Sequence, residues 1–190
     1  MKYQLVALLI LISLGSIAQP KLGFSSQNYT GLLTGEHGSK YQLQTIDGFR
    51  YKSWFAGVGV GLDWYYQRSI PLFVSLNKEF LKSDKRTFFA SADGGINYPW
   101  GNDNLQVEWG YHVAKLLNGP YWGVGFGYKV GFGKKNDAIL LHIGYSYKYS
   151  GETTELNATT GYLVLTPYDK PTNRYDYRLR RLSLKLGYQF

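Results

Sequence analysis

The chain contains no cysteine, one methionine and six prolines, and charged residues make up only 18% of its 190 residues. Without cysteine there is no disulfide framework, no thiolate nucleophile, no cysteine-ligated metal and no cysteine for lipid attachment. The mean hydropathy is −0.27, and no apolar run after residue 14 approaches the ~20 residues of a membrane-spanning helix. These absences argue against disulfide-stabilised domains and against helical membrane proteins.

Glycine and aromatic residues are, by contrast, abundant. The sequence has 23 glycines, and phenylalanine, tryptophan and tyrosine together make up 17% of it. Apolar residues are spread along the chain by alternation with small or polar residues, which is the pattern of strands with two unlike faces. The composition therefore favours an all-β protein.

The amino-terminal segment has the three regions of an export signal. Lys2 precedes an apolar stretch that ends at Leu14, and small residues follow up to Ala18. This pattern predicts a signal peptide over residues 1–18, because the apolar stretch is too short for a membrane anchor. Residues 19–190 are then expected to form a single domain.

The predicted mature chain is basic. Removal of Lys2 reduces the 21 basic residues to 20, which against 13 acidic residues leaves a net charge of +7. An exported basic chain more readily meets anionic lipid head groups than nucleic acid, and the basic turns belong to no nucleic-acid-binding motif. We therefore expect lipid contact and no nucleic-acid partner.

The carboxy-terminal nine residues show the alternation most clearly. Every second side chain is apolar and the others are polar or small, so a strand here has one apolar and one polar face. The apolar face comprises Leu182, Leu184, Leu186, Tyr188 and Phe190, and the other face comprises Ser183, Lys185, Gly187 and Gln189. With an export signal at the other end of the chain, the expected neighbour of the apolar face is the lipid of an outer membrane.

Seven further segments alternate in the same way. Together with the last strand, the predicted segments are 22–34, 39–50, 54–65, 70–81, 87–98, 121–132, 138–149 and 175–190. The predicted fold class is therefore all-β, an eight-stranded antiparallel up-and-down transmembrane β-barrel.

Two charged residues lie in the outward rows. Lys78 can extend from a rim to the head groups, whereas Asp47 requires a bulge or an early end to the membrane span.

The connections fit the same architecture. Those after strands two, four and six are short, whereas residues 99–120 and 150–174 form long loops after strands five and seven. Outer-membrane barrels have short turns at the periplasmic end, longer loops outside and aromatic girdles at both interfaces. The threading gives an outer girdle of Trp64, Tyr98, Trp122, Tyr147 and Tyr149 and an inner girdle of Trp54, Phe80, Phe88, Phe132, Tyr188 and Phe190.

The chain closes with Leu-x-Leu-x-Leu-x-Tyr-x-Phe at residues 182–190, and it contains the stretches 42–45 and 68–73 that are similar to those of other exported barrels. Through these features the whole predicted mature chain resembles the small eight-stranded outer-membrane barrels of Gram-negative bacteria, the OmpA/OmpX-like families. The resemblance implies an outer-membrane location, with outer-membrane lipids and lipopolysaccharide as partners. It also implies that Tyr188 and Phe190 belong to the signal through which the barrel-assembly machinery recognises its clients.

Charged residues also fall on the inward face of the predicted barrel. They are Asp63, Glu79 and Asp93 on strands three to five and Lys129, Lys148, Arg181 and Lys185 on strands six to eight, with His142 between them. The interior of an eight-stranded barrel is only wide enough for side chains, so we expect these groups to form a structural polar plug. The pairs predicted from height are Asp63 with Lys148 or Arg181, Asp93 with Lys185 or His142, and Glu79 with Lys129.

No pattern in the sequence points to catalysis. His37 and His112 fall in predicted loops, and His142 falls in the lumen with Ser146 on the same face, where such a pair is expected to be structural. The glycine-rich runs keep strand phase and no helix follows them, so they are not phosphate loops. We expect no catalytic residue, cofactor or metal site.

The leading functional hypothesis is a monomeric barrel with a structural or surface-interaction role and a filled polar lumen. Any binding is expected through the loops 99–120 and 150–174, because loops on a rigid scaffold commonly carry binding sites. An enzyme that modifies outer-membrane lipid or lipopolysaccharide is the alternative, and a narrow channel ranks third. The sequence does not identify an extracellular ligand.

Overall fold

The computed structural model describes residues 22–100, 111–132, 137–156 and 172–190. The predicted signal peptide, residues 1–18, lies outside these ranges. Within them, no helix is long and apolar enough to cross a membrane.

Nine strands follow one another along the described chain. They are β1 Gly23–Gly35, β2 Gly38–Tyr51, β3 Trp54–Asp63, β4 Ser69–Ser83, β5 Arg86–Pro99, β6 Tyr111–Leu117, β7 Gly119–Gly131, β8 Ala138–Leu156 and β9 Thr172–Gln189. All except β6 correspond to the predicted segments. Their ends lie within about three residues of the predicted ones, except that β8 continues to Leu156 and not to 149.

The sheet closes on itself. Strands β1 to β5 pair antiparallel in order, β5 pairs with β7, β7 with β8, and β8 with β9, which returns to β1. The closing register runs from Gln27 opposite Gln189 to Gly35 opposite Arg181. The result is a closed eight-stranded antiparallel barrel, and it confirms the predicted fold class.

The two ends of the barrel differ. The turn-side end carries the tight connections at residues 52–53 and 84–85. At Lys52 the φ angle is 54°, a left-handed conformation of the kind that tight hairpin turns need. The opposite, loop-side end carries the connections after β1, β3, β5 and β8. In the threading from sequence, the turn-side end is periplasmic and the loop-side end is external.

Three strands extend beyond the rest of the barrel at the loop-side end. β8 continues to Leu156 and β9 begins at Thr172, and the two remain paired as far as Glu155 opposite Thr172. β6 pairs with the end of β8 and lies in line with β7, from which only Asn118 separates it. We call the paired residues 111–117, 150–156 and 172–178 the loop-side extension.

The extension corrects the predicted loops 99–120 and 150–174. Residues 111–117 and 150–156 are strands, and His112 therefore lies in a strand and not in a loop. The alternation of apolar and polar residues is absent here for a physical reason. Strands outside the lipid need no apolar face, so polar residues such as Glu152 and Thr154 are tolerated and the sequence shows no alternation that would predict a strand.

Exposure of the side chains confirms the faces assigned within the last strand. Leu184 is 50% exposed on the outward face, whereas Ser183 and Lys185 are 6% and 5% exposed and face the lumen. The outward surface of the barrel is thus apolar along this strand, and the polar side chains lie inside.

The two charged residues in the outward rows behave differently. β2 keeps an unbroken register with both β1 and β3, so the bulge considered at Asp47 is absent, and Asp47 is exposed on the outward face. Lys78 is held at the turn-side rim, where Nζ donates a hydrogen bond to Ser53 Oγ at 2.8 Å and lies 4.4 Å from the centre of the Trp54 ring. Its ammonium group thus remains near the rim.

Candidate functional site

The loop-side end of the lumen is filled by a buried ion cluster. Asp63 is 4% exposed, and its carboxylate contacts both Lys148, whose Nζ lies 3.1 Å from Oδ1, and Arg181, whose Nη1 donates to Oδ2. Lys148 Nζ also donates to Ser69 Oγ and to the backbone oxygen of Gln67, each at 2.9 Å. Because β3 and β8 lie opposite each other in the ring of eight strands, this cluster ties the two sides of the lumen together.

A second cluster lies at the turn-side end. Lys129 Nζ donates to Glu79 Oε1, and Arg50 Nη2 approaches the same oxygen at 3.4 Å. The exposed Lys82 Nζ lies 3.9 Å from the other carboxylate oxygen. Arg50 Nη2 also donates to Gln189 Oε1 at 2.7 Å. Glu79 is therefore surrounded by cations from β2, β4 and β7.

The middle level contains Asp93 and Lys185 without a direct ion pair between them. The two line one small cavity, but Lys185 Nζ donates to Gln44 Oε1 at 3.0 Å and lies 5.3 Å from the centre of the Tyr29 ring. Asp93 lies close to the Ser75 hydroxyl. The structure thus brings Asp93 near Lys185, and the neutral residues Gln44 and Ser75 serve as hydrogen-bonding neighbours.

A small cavity of about 10 Å³ lies at this level, lined by Asp93, His142, Ser146, Lys185 and their neighbours. This is the volume of about one water molecule. Asp93 Oδ1, His142 Nδ1 and Ser146 Oγ have no hydrogen-bond partner among the described residues. A polar cavity of this size suits a single water molecule with two to four polar neighbours.

His142 pairs with a serine that the sequence analysis did not select. Its Nε2 lies 2.7 Å from Ser91 Oγ on β5, which only β7 separates from β8 in the ring. A catalytic pair of this kind also needs a group that orients the histidine and a path for the substrate. In the described residues His142 Nδ1 has no such partner, and the imidazole lies flat beside the buried Phe89, with ring centres 6.1 Å apart.

An apolar layer crosses the lumen at this middle level, where Tyr29 contacts Lys185 and Phe89 contacts His142, and the sequence analysis missed it. One buried cluster contains Tyr29, Ile46, Phe55, Phe73, Phe89, Tyr121 and Leu140, which come from seven of the eight barrel strands. Inward glycines make room for its rings. A Cβ on Gly59 would lie 2.5 Å from the Phe73 ring, and one on Gly187 would lie 2.5 Å from the Tyr29 ring. The filling of the lumen is therefore part aromatic and part polar.

A smaller apolar cluster lies above the Asp63 cluster. Leu33, Tyr65 and Leu179 are buried together, and Tyr177 packs against them. The Tyr65 hydroxyl accepts a hydrogen bond from the backbone N–H of His37 at 2.8 Å, which fixes the turn between β1 and β2 over the lumen. His37 is thus placed by contacts with tyrosines, including a ring contact of 4.3 Å with Tyr66.

The loop-side extension carries exposed polar contacts. The Tyr149 hydroxyl donates to Asp176 Oδ1, and Arg174 Nε donates to the same atom at 3.1 Å. The hydrogen bond from Tyr149 and then that from Arg174 hold the pKa of Asp176 below its usual range. Nearby, the Tyr177 hydroxyl donates to Glu152 Oε1 at 2.8 Å. Burial and then a hydrogen bond with Tyr66 raise the pKa of Tyr177.

Arg50 and Gln67 also belong to the interior and were not selected from the sequence. Arg50 lies an even number of residues from Gln42 and Gln44, which face inward on β2. The alternation along β2 could therefore have predicted that Arg50 faces the lumen. Gln67 lies in the connection between β3 and β4, where strand alternation cannot predict the direction of a side chain. It accepts a hydrogen bond from Ser150. In the described residues no group of histidine and acidic side chains is placed to hold a metal ion.

Comparison with known proteins yields structural likeness alone. No family model and no curated protein matches the chain. The crystal structure of Neisserial surface protein A (NspA) matches 90% of this chain and 98% of that one, with a TM-score of 0.53 and 12% identity. The solid-state NMR structure of outer membrane protein AlkL in DMPC lipid bilayers covers 91% of this chain and 92% of its own, with a TM-score of 0.46 and 12% identity. With its closed register and the likeness to NspA, the chain has the fold of a small eight-stranded outer-membrane β-barrel.

Proposed function

We propose that this chain is an integral outer-membrane barrel with a structural or surface-interaction role and a closed lumen that does not conduct ions. The apolar layer carries this proposal, because its side chains come from seven strands and meet across the lumen. An eight-stranded barrel leaves little interior space beyond its side chains. The two ion clusters, centred on Asp63 and Glu79, close the lumen again on either side of the layer.

The outward surface supports placement in a membrane. Leucines and valines cover it, and aromatic residues lie towards both ends, where ring side chains favour the interface between lipid and water. Such a surface in water would be an exposed apolar patch far larger than soluble proteins tolerate. Export through the amino-terminal signal and assembly through Tyr188 and Phe190 complete the proposal, with the barrel-assembly machinery and outer-membrane lipids as partners.

The loop-side extension is the proposed interaction surface. In it the ends of β6, β8 and β9 extend beyond the rest of the barrel. Residues 101–110 and 157–171 of the predicted loops lie outside the described residues. Its β9 edge presents Arg174, Tyr175 and Arg178 to solvent. Tyrosine and arginine on a rigid support are the residue types that most often anchor protein interfaces.

Conductance across a planar bilayer tests the closed lumen. The folded protein should insert without producing discrete current steps, while a known porin in the same bilayer shows that the recording detects channels. Reproducible current steps from the wild-type protein would overturn the proposal in favour of a channel.

The Ser91–His142 contact is the observation that favours the alternative, a lipid-modifying enzyme. Mass spectra of lipid A from wild-type and deletion strains separate the two hypotheses. A structural barrel leaves the lipid A masses unchanged. A mass difference that wild-type protein restores, and that a Ser91→Ala variant does not, would support the enzyme.

A further inference from the structure

A groove runs along the outward face of the barrel wall. Its loop-side part has a volume of about 540 Å³ and is lined by Thr30, Lys40, Tyr41, Leu43, Trp64 and Arg68. Its turn-side part, of about 550 Å³, shares Thr30 and Leu43 with the first and continues towards Leu186 and Tyr188. Each volume falls within the ~300–1,000 Å³ that is typical of small-molecule sites.

The groove exists because small side chains replace large ones on one stretch of wall. Asn28, Thr30 and Thr45 form its floor, whereas Leu43 and Leu186 stand at its sides and are 44% and 55% exposed. Thr45 Oγ1 donates to Asn28 Oδ1 at 2.9 Å. This hydrogen bond lowers the cost of facing polar groups towards lipid, and the remaining lining is mostly carbon, which suits an acyl chain.

Two cations lie at the loop-side end of the groove. Arg68 and Lys40 are exposed, and neither forms an ion pair with a residue in the described part of the chain. Trp64 and Tyr41 line the same part of the groove, and the backbone N–H of Trp64 donates a 3.3 Å hydrogen bond to the Tyr41 carbonyl. Tryptophan and tyrosine mark the level of lipid head groups, so the cations lie at the depth of lipid phosphates.

From this arrangement we infer that the groove binds one phosphorylated lipid, the lipid A part of lipopolysaccharide. Its phosphate lies between Arg68 and Lys40, and one acyl chain lies along Thr30 and Leu43. Arginine binds phosphate through two parallel hydrogen bonds. A phosphomonoester carries about −1.5 to −2 charge at pH 7, more than the phosphodiester of an ordinary phospholipid, and so matches two cations better. The inference rests on the proposed outer-membrane location and adds a defined site to it.

Native mass spectrometry of the folded protein released from micelles measures the binding. The micelles contain, in turn, lipid A, dephosphorylated lipid A and phosphatidylglycerol. The wild-type protein should retain lipid A at least about tenfold more than either of the others, as expected when charge-assisted hydrogen bonds to a phosphate are gained or lost. Equal retention of lipid A and phosphatidylglycerol would overturn the inference.

Charge-matched variants separate a site from general attraction. The pair Lys40→Gln and Arg68→Gln should reduce lipid A retention by about tenfold. The pair Lys85→Gln and Arg180→Gln removes the same charge from exposed residues outside the groove and should leave retention nearly unchanged. Equal losses in the two double variants would show that the attraction is not local, and would overturn the inference.

A charge-neutral variant tests the groove itself. Thr30→Trp fills the floor and should abolish lipid A retention, whereas Thr34→Trp, an exposed position on the same strand outside the groove, should not. Undiminished retention in Thr30→Trp would overturn the inference. Faster migration of unheated samples shows that each variant is folded. A wild-type chain that fails this check contradicts the proposed membrane barrel, whereas a folded barrel without lipid A preference contradicts only the site.

Discussion

Phe89 lies so close against Gly127 that a Cβ added to the glycine would come within 2.1 Å of Phe89 Cζ. The ring is 3% exposed and belongs to the apolar layer, so it has no free space into which to move. Gly127 on β7 is thus a glycine because a ring from β5 occupies the place of its side chain. The same relationship joins Gly59 to Phe73.

Gly127→Ala is therefore expected to destabilise the barrel by about 1–3 kcal/mol through overpacking. Gly123→Ala, on the same strand and the same face, is the matched control. Its Cβ would meet no atom closer than 3.6 Å, and the variant should unfold at the wild-type denaturant concentration or above it, because alanine restricts the unfolded chain. Reversible unfolding in liposomes measures both. Equal stability of the two variants would contradict the proposed ring packing.

Removal of the carboxylate at the centre of the loop-side cluster should be costly. Asp63→Asn leaves Lys148 and Arg181, which are 0% and 1% exposed, without their counter-charge, and such a loss costs about 3–5 kcal/mol. Arg181→Gln combined with Asp63→Asn should recover part of the loss, which a double-mutant cycle reads as a coupling energy. Strictly additive losses would mean that the two side chains do not interact in the membrane.

Leu184→Arg tests the lipid-facing phase of β9. Leu184 lies between Leu32 of β1 and Ile143 of β8 on the outward face, and an arginine there should cost about 2–4 kcal/mol if the residue lies near the middle of the bilayer. Ser183→Arg, one residue away, should instead destabilise by crowding the lumen. A cost below about 0.5 kcal/mol for Leu184→Arg, the range of ordinary surface substitutions, would contradict the lipid contact.

The exposed contacts of the loop-side extension predict a pH dependence. The lowered pKa of Asp176, caused first by the hydrogen bond from Tyr149 and then by that from Arg174, means that the carboxylate is favoured in the folded state. Its contribution to pairing of β8 and β9 is complete above the unfolded pKa of about 3.9 and is lost as the pH falls through the folded value. A carboxyl-carbon NMR titration should place Asp176 below about 3.9. Tyr149→Phe should raise that value more than Arg174→Gln does, and a larger shift in Arg174→Gln would reverse the assigned order of causes.

The sequence predicted those features that lipid contact imposes. Because one face of each spanning strand must be apolar, the phase of Leu184 and Ser183 could be assigned from alternation alone. The distance of each residue from the ends of its strand then predicted its level in the lumen. On that basis Asp63 was expected near Lys148 and Arg181, and Glu79 near Lys129. The structure brings these residues together.

Other features left weaker signals in the sequence. The loop-side extension lies where neither face needs to be apolar, so β6 and the ends of β8 and β9 show no alternation. The apolar layer is inward, where polar residues were expected, and its rings fit only because glycines such as Gly127 occupy neighbouring strands at the same height. Pairing of inward aromatic residues with inward glycines across strands is the signal that could have predicted it. The groove depends on small outward residues that lie side by side on adjacent strands. The alternation within a single strand does not show which residues of the next strand lie beside it, so the sequence did not predict the groove.

Thiol modification in lipid bilayers tests the central claim, a lipid-embedded barrel with a closed lumen, most directly. Because the chain has no cysteine, Gly123→Cys, Leu184→Cys and Ser39→Cys each carry a single thiol. The three thiols lie in the lumen, on the lipid face and at the exposed loop-side end of β2, respectively. A charged water-soluble reagent should modify only Ser39→Cys, and a membrane-soluble reagent should modify Leu184→Cys while Gly123→Cys resists both. Rapid reaction of Gly123→Cys with the charged reagent would contradict the closed lumen, and rapid reaction of Leu184→Cys with it would contradict the membrane-spanning barrel.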